Sequence, residues 1–262
     1  MKKLIIICII YTILCANLFA QQEVIVEKNT EKGIKLNFNA GFHLSNMIGK
    51  DVRKDDNLWI TKIGHENYHG TLYSGGYTTF LPGYKFGFGV TFDKTKNFSW
   101  GLDLNLETKG CRIPIREIIF TVYSGNDISE ERVEASDLYS KIRLYYIVIP
   151  IKTEFKYKKF YVMPGAYTGF LLSALNFTNF EHNDQHFNFR YNVSSHYAFI
   201  DVGVFLNTGF CVPLPKQEFI KIGVVGQWNV HGIESRNLDG GSYSFFGNQV
   251  LGLELKYEFK VK

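Results

Sequence analysis

No apolar run in the body of the chain reaches the about 18 residues that a membrane-crossing helix needs. The one almost continuous stretch, Leu4–Leu14, lies at the start. If the body spans a membrane, it does so as a closed β-barrel, because only helices and closed barrels satisfy every backbone group in lipid. Charge of one sign is also lacking: the net is +4, and Lys2 and Lys3 supply two of those charges. That balance leaves no electrostatic footprint for nucleic acid. No glycine-rich phosphate loop and no interleaved basic–aromatic patch is found. Proline numbers only 6 beside 24 glycines, 23 phenylalanines and 16 tyrosines, a mixture that favours many tightly packed strands.

Cysteine is sparse too. Of four, Cys8 and Cys15 fall in the apolar start, which leaves Cys111 and Cys211. Two cysteines could pair in an oxidising compartment, but the strand layout below puts them near opposite ends of the sheet, which argues against a bridge. The start itself reads as an export signal over residues 1–20: a charged Lys2-Lys3 region, the apolar stretch, then Leu18-Phe19-Ala20 before Gln21. Leu14 ahead of Cys15 is too bulky for a lipidation signal. Residues 21–32 form a polar spacer, and 33–262 one sheet-rich domain.

What the domain does have is alternation. From Phe246 to Phe259 the residues Leu251, Leu253, Leu255, Tyr257 and Phe259 share one parity, and Gly252, Glu254, Lys256 and Glu258 the other. A period of two is that of a β-strand, and an apolar face closed by aromatics suits contact with lipid. The pattern recurs over Lys35–Leu44, Tyr84–Phe92 and Phe98–Leu106. Further strands are expected over Ile142–Tyr157, Phe160–Phe177, Tyr197–Cys211 and Phe219–Val230. Short turns at 93–97, 158–159 and 213–217 alternate with long polar connections at 45–79, 111–138, 178–196 and 231–245. The expected fold is all-β: an up-and-down antiparallel transmembrane barrel of eight strands, ten being the alternative count. Its short turns face the periplasm and its long loops the exterior.

The second face of the strands carries Lys85, Asp103, Glu107, Lys152, Glu154, Asp201, Glu254 and Lys256 among glycines. A lumen of eight strands is just wide enough to be filled by side chains. Opposite charges there can pair as a polar plug, with glycines making room for the long ones.

Gly33–Asn46, Gly83–Val90, Leu104–Gly110, the Tyr146–Tyr157 strand with its Ile149-Pro150 step, and Leu251–Phe259 resemble the PorT-like outer-membrane β-barrel family of Bacteroidetes. The resemblance spans nearly the whole mature sequence. It implies residence in the cell outer membrane, contact with its lipid, and insertion by the barrel-assembly machinery through the C-terminal strand. It brings no shared catalytic residues, and its namesake is linked to protein secretion. The Lys260-Val261-Lys262 tail departs from a terminal aromatic.

Two constellations carry chemistry to be tested. His65, Glu66 and His69 spell H-E-x-x-H, whose histidines bind zinc only when a helix puts them one turn apart. Here Gly64 and Gly70 bracket the motif, and His182 and His186 repeat the spacing in another connection. The commoner outcome is two solvated pairs, so no metal and no cofactor is expected. Hydrolysis or acyl transfer needs a nucleophile, a base and an orienting group within hydrogen-bond reach; His43, Ser45 and His231 could approach beside the last strand. The leading expectation is a structural or interaction barrel, a membrane anchor or accessory factor that touches a protein partner at its loops or periplasmic rim. An outer-membrane enzyme acting on lipid or peptide is the alternative, and a passive pore the third reading.

Overall fold

The computed structural model describes residues 33–49, 59–65, 68–74, 78–124, 127–134, 138–182, 185–215, 218–230, 233–235 and 244–261. The expected signal (1–20), the spacer (21–32) and His231 lie outside the described residues. In chain order the strands are β1 (Ile34–Gly49), β2 (Trp59–His65), β3 (Tyr68–Ser74), β4 (Thr79–Asp93), β5 (Phe98–Ser124), β6 (Asp127–Glu134) and β7 (Tyr139–Tyr157). They continue with β8 (Phe160–His182), β9 (Gln185–Asn192), β10 (Ile200–Leu214), β11 (Glu218–Asn229), β12 (Ile233–Ser235) and β13 (Ser244–Lys260).

Eight of these close on themselves in the order β1–β4–β5–β7–β8–β10–β11–β13 and back to β1, every pair antiparallel. The closing strand aligns Leu36 with Phe259 and Leu44 with Leu251, so no edge of the wall is left unpaired. Alternation decides which face is outside. Phe38, Phe42, Ile151 and Leu253 are about 60% exposed, and soluble monomers rarely show contiguous apolar surface beyond a few hundred Å². Aromatic pairs crowd the short-turn rim, with Phe92 on Trp100 at 4.4 Å and Phe160 on Phe210 at 4.6 Å. This is the girdle of a lipid-facing wall.

The long connections differ from expectation. Their described residues are largely strand rather than loop: β5 runs on to Ser124, β8 to His182, and β2, β3, β6, β9 and β12 pair beside the extended wall. Hydrogen-bonding to those extensions satisfies backbone groups that a loop would have to offer to water. The expected sixth strand begins at Ile200 instead of Tyr197, because a 3-10 turn at Ser194–His196 precedes it. At the other rim the two-residue turn Lys158-Lys159 puts Lys158 in the left-handed region at φ 57°.

The interior has two halves. Near the long-loop rim it is apolar: Met47, Cys111, Ile113, Ile142, Leu144 and Tyr146 pack together with almost no exposure. Below them it is charged. The expected polar filling thus occupies one half of the lumen, since the outer extensions of β5 and β7 turn isoleucine and leucine inward. Cys111 and Cys211 are both buried and free.

Candidate functional site

The charged half of the lumen is built in tiers. Nearest the short-turn rim, Lys35 meets Asp93 at 2.6 Å, and Lys221 stands 2.6 Å from both Glu154 and Glu258. Lys156 reaches Glu154 at 3.1 Å. One tier up, Asp103 accepts from Lys152, from Lys256 at 3.1 Å and from the Asn37 amide at 3.1 Å. Glu254 pairs with Lys85 and lies 3.6 Å from Lys256. Uppermost, Lys109 donates to Asp201 at 2.9 Å and sits 4.1 Å from the Tyr167 ring centre. Asp201 also accepts from Asn229 and from Asn248 at 3.3 Å, and Glu107 accepts from Gln227 at 3.0 Å.

The structure therefore places all eight charged residues read from the sequence inside the barrel, each under 7% exposed. Lys35, Lys109, Lys221 and Glu258 belong to the same interior and were not among them. Their signal was parity: each occupies an inward position of its strand. With them, the buried charged side chains of the described residues are six lysines and six carboxylates, an equal balance. Buried ions pair at net benefit only with close geometry and further hydrogen bonds, and the contacts around Asp103 and Asp201 supply both.

Glycines make the room. A Cβ at Gly89 would lie 1.9 Å from an Asp103 carboxylate oxygen, and one at Gly101 3.0 Å from Cε of Lys152. Between these side chains lies a cavity of about 20 Å³ lined by Lys85, Asp103, Lys152, Tyr167, Glu254 and Lys256, among others. That is room for about one water molecule.

His43 and Ser45 both lie inside β1, 2% and 0% exposed, yet each is occupied elsewhere. The His43 ring meets the carbonyl of Thr108 at 2.6 Å, and the Ser45 hydroxyl is directed at the carbonyls of Gly110 (3.0 Å) and Leu81 (3.2 Å). A hydroxyl whose single proton is held by carbonyls is not activated by a base. The histidine pairs fall on hairpins. In β2–β3 His65 is opposite Tyr68 and His69 opposite Gly64; in β8–β9 His182 is opposite Gln185 and His186 opposite Glu181. Each pair thus holds register positions of opposite parity, not the shared helical face that the zinc motif requires.

A family model described as outer membrane protein beta-barrel domain matches residues 19–229. No curated protein matches the chain in sequence. Similar solved structures include the outer membrane protease OmpT from Escherichia coli, at 10% identity and TM-score 0.41, covering 89% of this chain and 99% of that one. Another is the outer membrane protein OprG from Pseudomonas aeruginosa, at 11% identity and TM-score 0.33, covering 88% of this chain and 98% of that one. The outer membrane protein AlkL, determined in lipid bilayers, has 12% identity and TM-score 0.31, covering 90% of this chain and 94% of that one.

Proposed function

Because the chain belongs to the outer membrane protein beta-barrel domain family and resides in the outer membrane, we propose that it acts as a structural or interaction barrel: a membrane anchor or accessory factor whose loops or periplasmic rim engage a protein partner. The observation that carries this reading is the filled lumen. Six lysines and six carboxylates are buried among the described residues, and five of them line a cavity of about 20 Å³, room for about one water molecule. The finer kinship with PorT-like barrels of Bacteroidetes belongs to this proposal and makes a secretion accessory one form of the role. So do export through the signal at residues 1–20 and insertion by the barrel-assembly machinery.

Two measurements test it. The purified barrel in planar bilayers is expected to show no unitary current steps at neutral pH; reproducible steps would replace the anchor with a pore. A His43→Gln variant keeps a donor for the Thr108 carbonyl but removes the imidazole as a base. Cells carrying it are expected to match wild type in outer-membrane lipid profile. A changed profile from a folded variant would favour the enzyme reading.

A further inference from the structure

We propose that the outer wall of the barrel carries a binding site for a phosphate-bearing lipid of the outer leaflet, formed by Arg112, Lys141, Arg143 and Arg190. The register puts three of them in one row across neighbouring strands: Arg112 of β5 opposite Lys141 of β7, Lys141 opposite Phe177 of β8, and Phe177 opposite Arg190 of β9. Arg143, two positions below Lys141, lies opposite Gly110, and its guanidinium extends to the Pro82 carbonyl at 3.5 Å. The alternation turns all four outward, because their strand neighbours Cys111, Ile142, Leu144 and Phe189 are buried inside.

This row breaks the rule that governs the lumen. Like charges placed directly opposite across a sheet are destabilising, yet Arg112 faces Lys141. None of the four is ion-paired among the described residues, and Nε of Arg112 is buried without a hydrogen-bond acceptor. The height is informative as well. Up the outward face of β7 the side chains change from Ile147, Ile149 and Ile151 through Tyr145 to Arg143 and Lys141. Aliphatic, then aromatic, then cationic is the order met on leaving hydrocarbon for headgroups.

Arginine also presents the planar fork that grips phosphate. Arg190 is steadied over the Phe177 ring at 5.5 Å. With strands about 4.8 Å apart, the row spans roughly 15 Å, enough for a headgroup bearing more than one phosphate. The inference rests only on the placement of the barrel in the outer membrane, so it stands or falls separately from the anchor role.

The test uses the full chain in phosphatidylcholine nanodiscs doped with diphosphoryl lipid A or with the same lipid stripped of its phosphates. By native mass spectrometry the phosphorylated lipid is expected to be retained at least tenfold more than the stripped one. The R112Q/K141Q/R143Q variant is expected to lose that preference, while K158Q/K159Q at the opposite rim keeps it. Lys141→Gln alone should leave the unfolding midpoint unchanged or higher in plain phosphatidylcholine, where only repulsion is removed. In the doped discs it should lower the midpoint relative to wild type. Absence of a preference in the wild type, which requires no variant to fold, would overturn the proposal. So would a preference that survives the triple variant or falls equally with K158Q/K159Q. Retention abolished by inorganic phosphate would mark a free-anion site and overturn the lipid assignment.

Discussion

Replacing Asp103 with leucine is expected to destabilise the barrel by about 3–5 kcal/mol, the range for a buried ion cluster deprived of one partner. Asp103 is 4% exposed and is the acceptor for Lys152, Lys256 and the Asn37 amide. Among the described residues, its removal leaves Lys152 with no carboxylate and Lys256 with only Glu254, 3.6 Å away. The change is read from the urea midpoint of the heat-modifiable band in vesicles. A second substitution, Lys152→Met, should restore at least half of the loss, because the charge most exposed by the first is then absent. A neutral Asp103→Leu would mean that the two lysines are not held by this carboxylate, and the interlocked lumen would lose its central tier.

How much of that tier could be read from the chain depends on which physical rule carries it. Parity was enough to place Asp103, Lys152, Glu254 and Lys256 in the interior, since each alternates with large apolar residues in its own strand. Parity was weaker for Lys221: in β11 Val224, Val225 and Trp228 occupy both faces, so the period of two is blurred there. Partners were out of reach altogether. Lys256 meets Asp103 across 153 positions of sequence, and Lys221 meets Glu154 across 67 and between strands that are not neighbours. Those contacts are set by the stagger of the closed wall, which no single strand encodes.

The same distinction explains the fold. The eight wall strands carry an apolar outer face that lipid demands, and each announced itself. The hairpins above the wall have no such demand. Asp127–Glu134 holds four carboxylates in eight residues and shows no apolar stripe, yet it is a strand because the free edge of β5 offers it backbone partners. Likewise His65 and His69 matched a helical metal motif in letters. Their connection pairs as a hairpin, and there the four-residue spacing loses its meaning.

Gly252→Val is expected to weaken the seam between the first and last strands by about 3 kcal/mol, the upper end of the usual range for overpacking. Gly252 faces His43 across β1–β13. A Cβ there would lie 2.3 Å from the His43 Cβ, 2.5 Å from the Phe42 carbonyl oxygen and 2.7 Å from the His43 Cα. Two of those three atoms are backbone, so no change of rotamer makes room and the strands themselves must separate. Shortening the histidine to alanine should therefore give no rescue. Gly247 provides the contrast on the same strand: the three atoms nearest a Cβ there all belong to the Asn229 side chain, at 3.1 Å or more. Gly247→Ala is expected to stay within about 0.5 kcal/mol of wild type, as for an ordinary tolerated site. Refolding into vesicles, followed by gel migration with and without boiling, reads both. A Gly252→Val barrel that closes as fully as Gly247→Ala would show that β1 and β13 do not meet in this register, and with it the closure that buries the lumen charges would have to be redrawn.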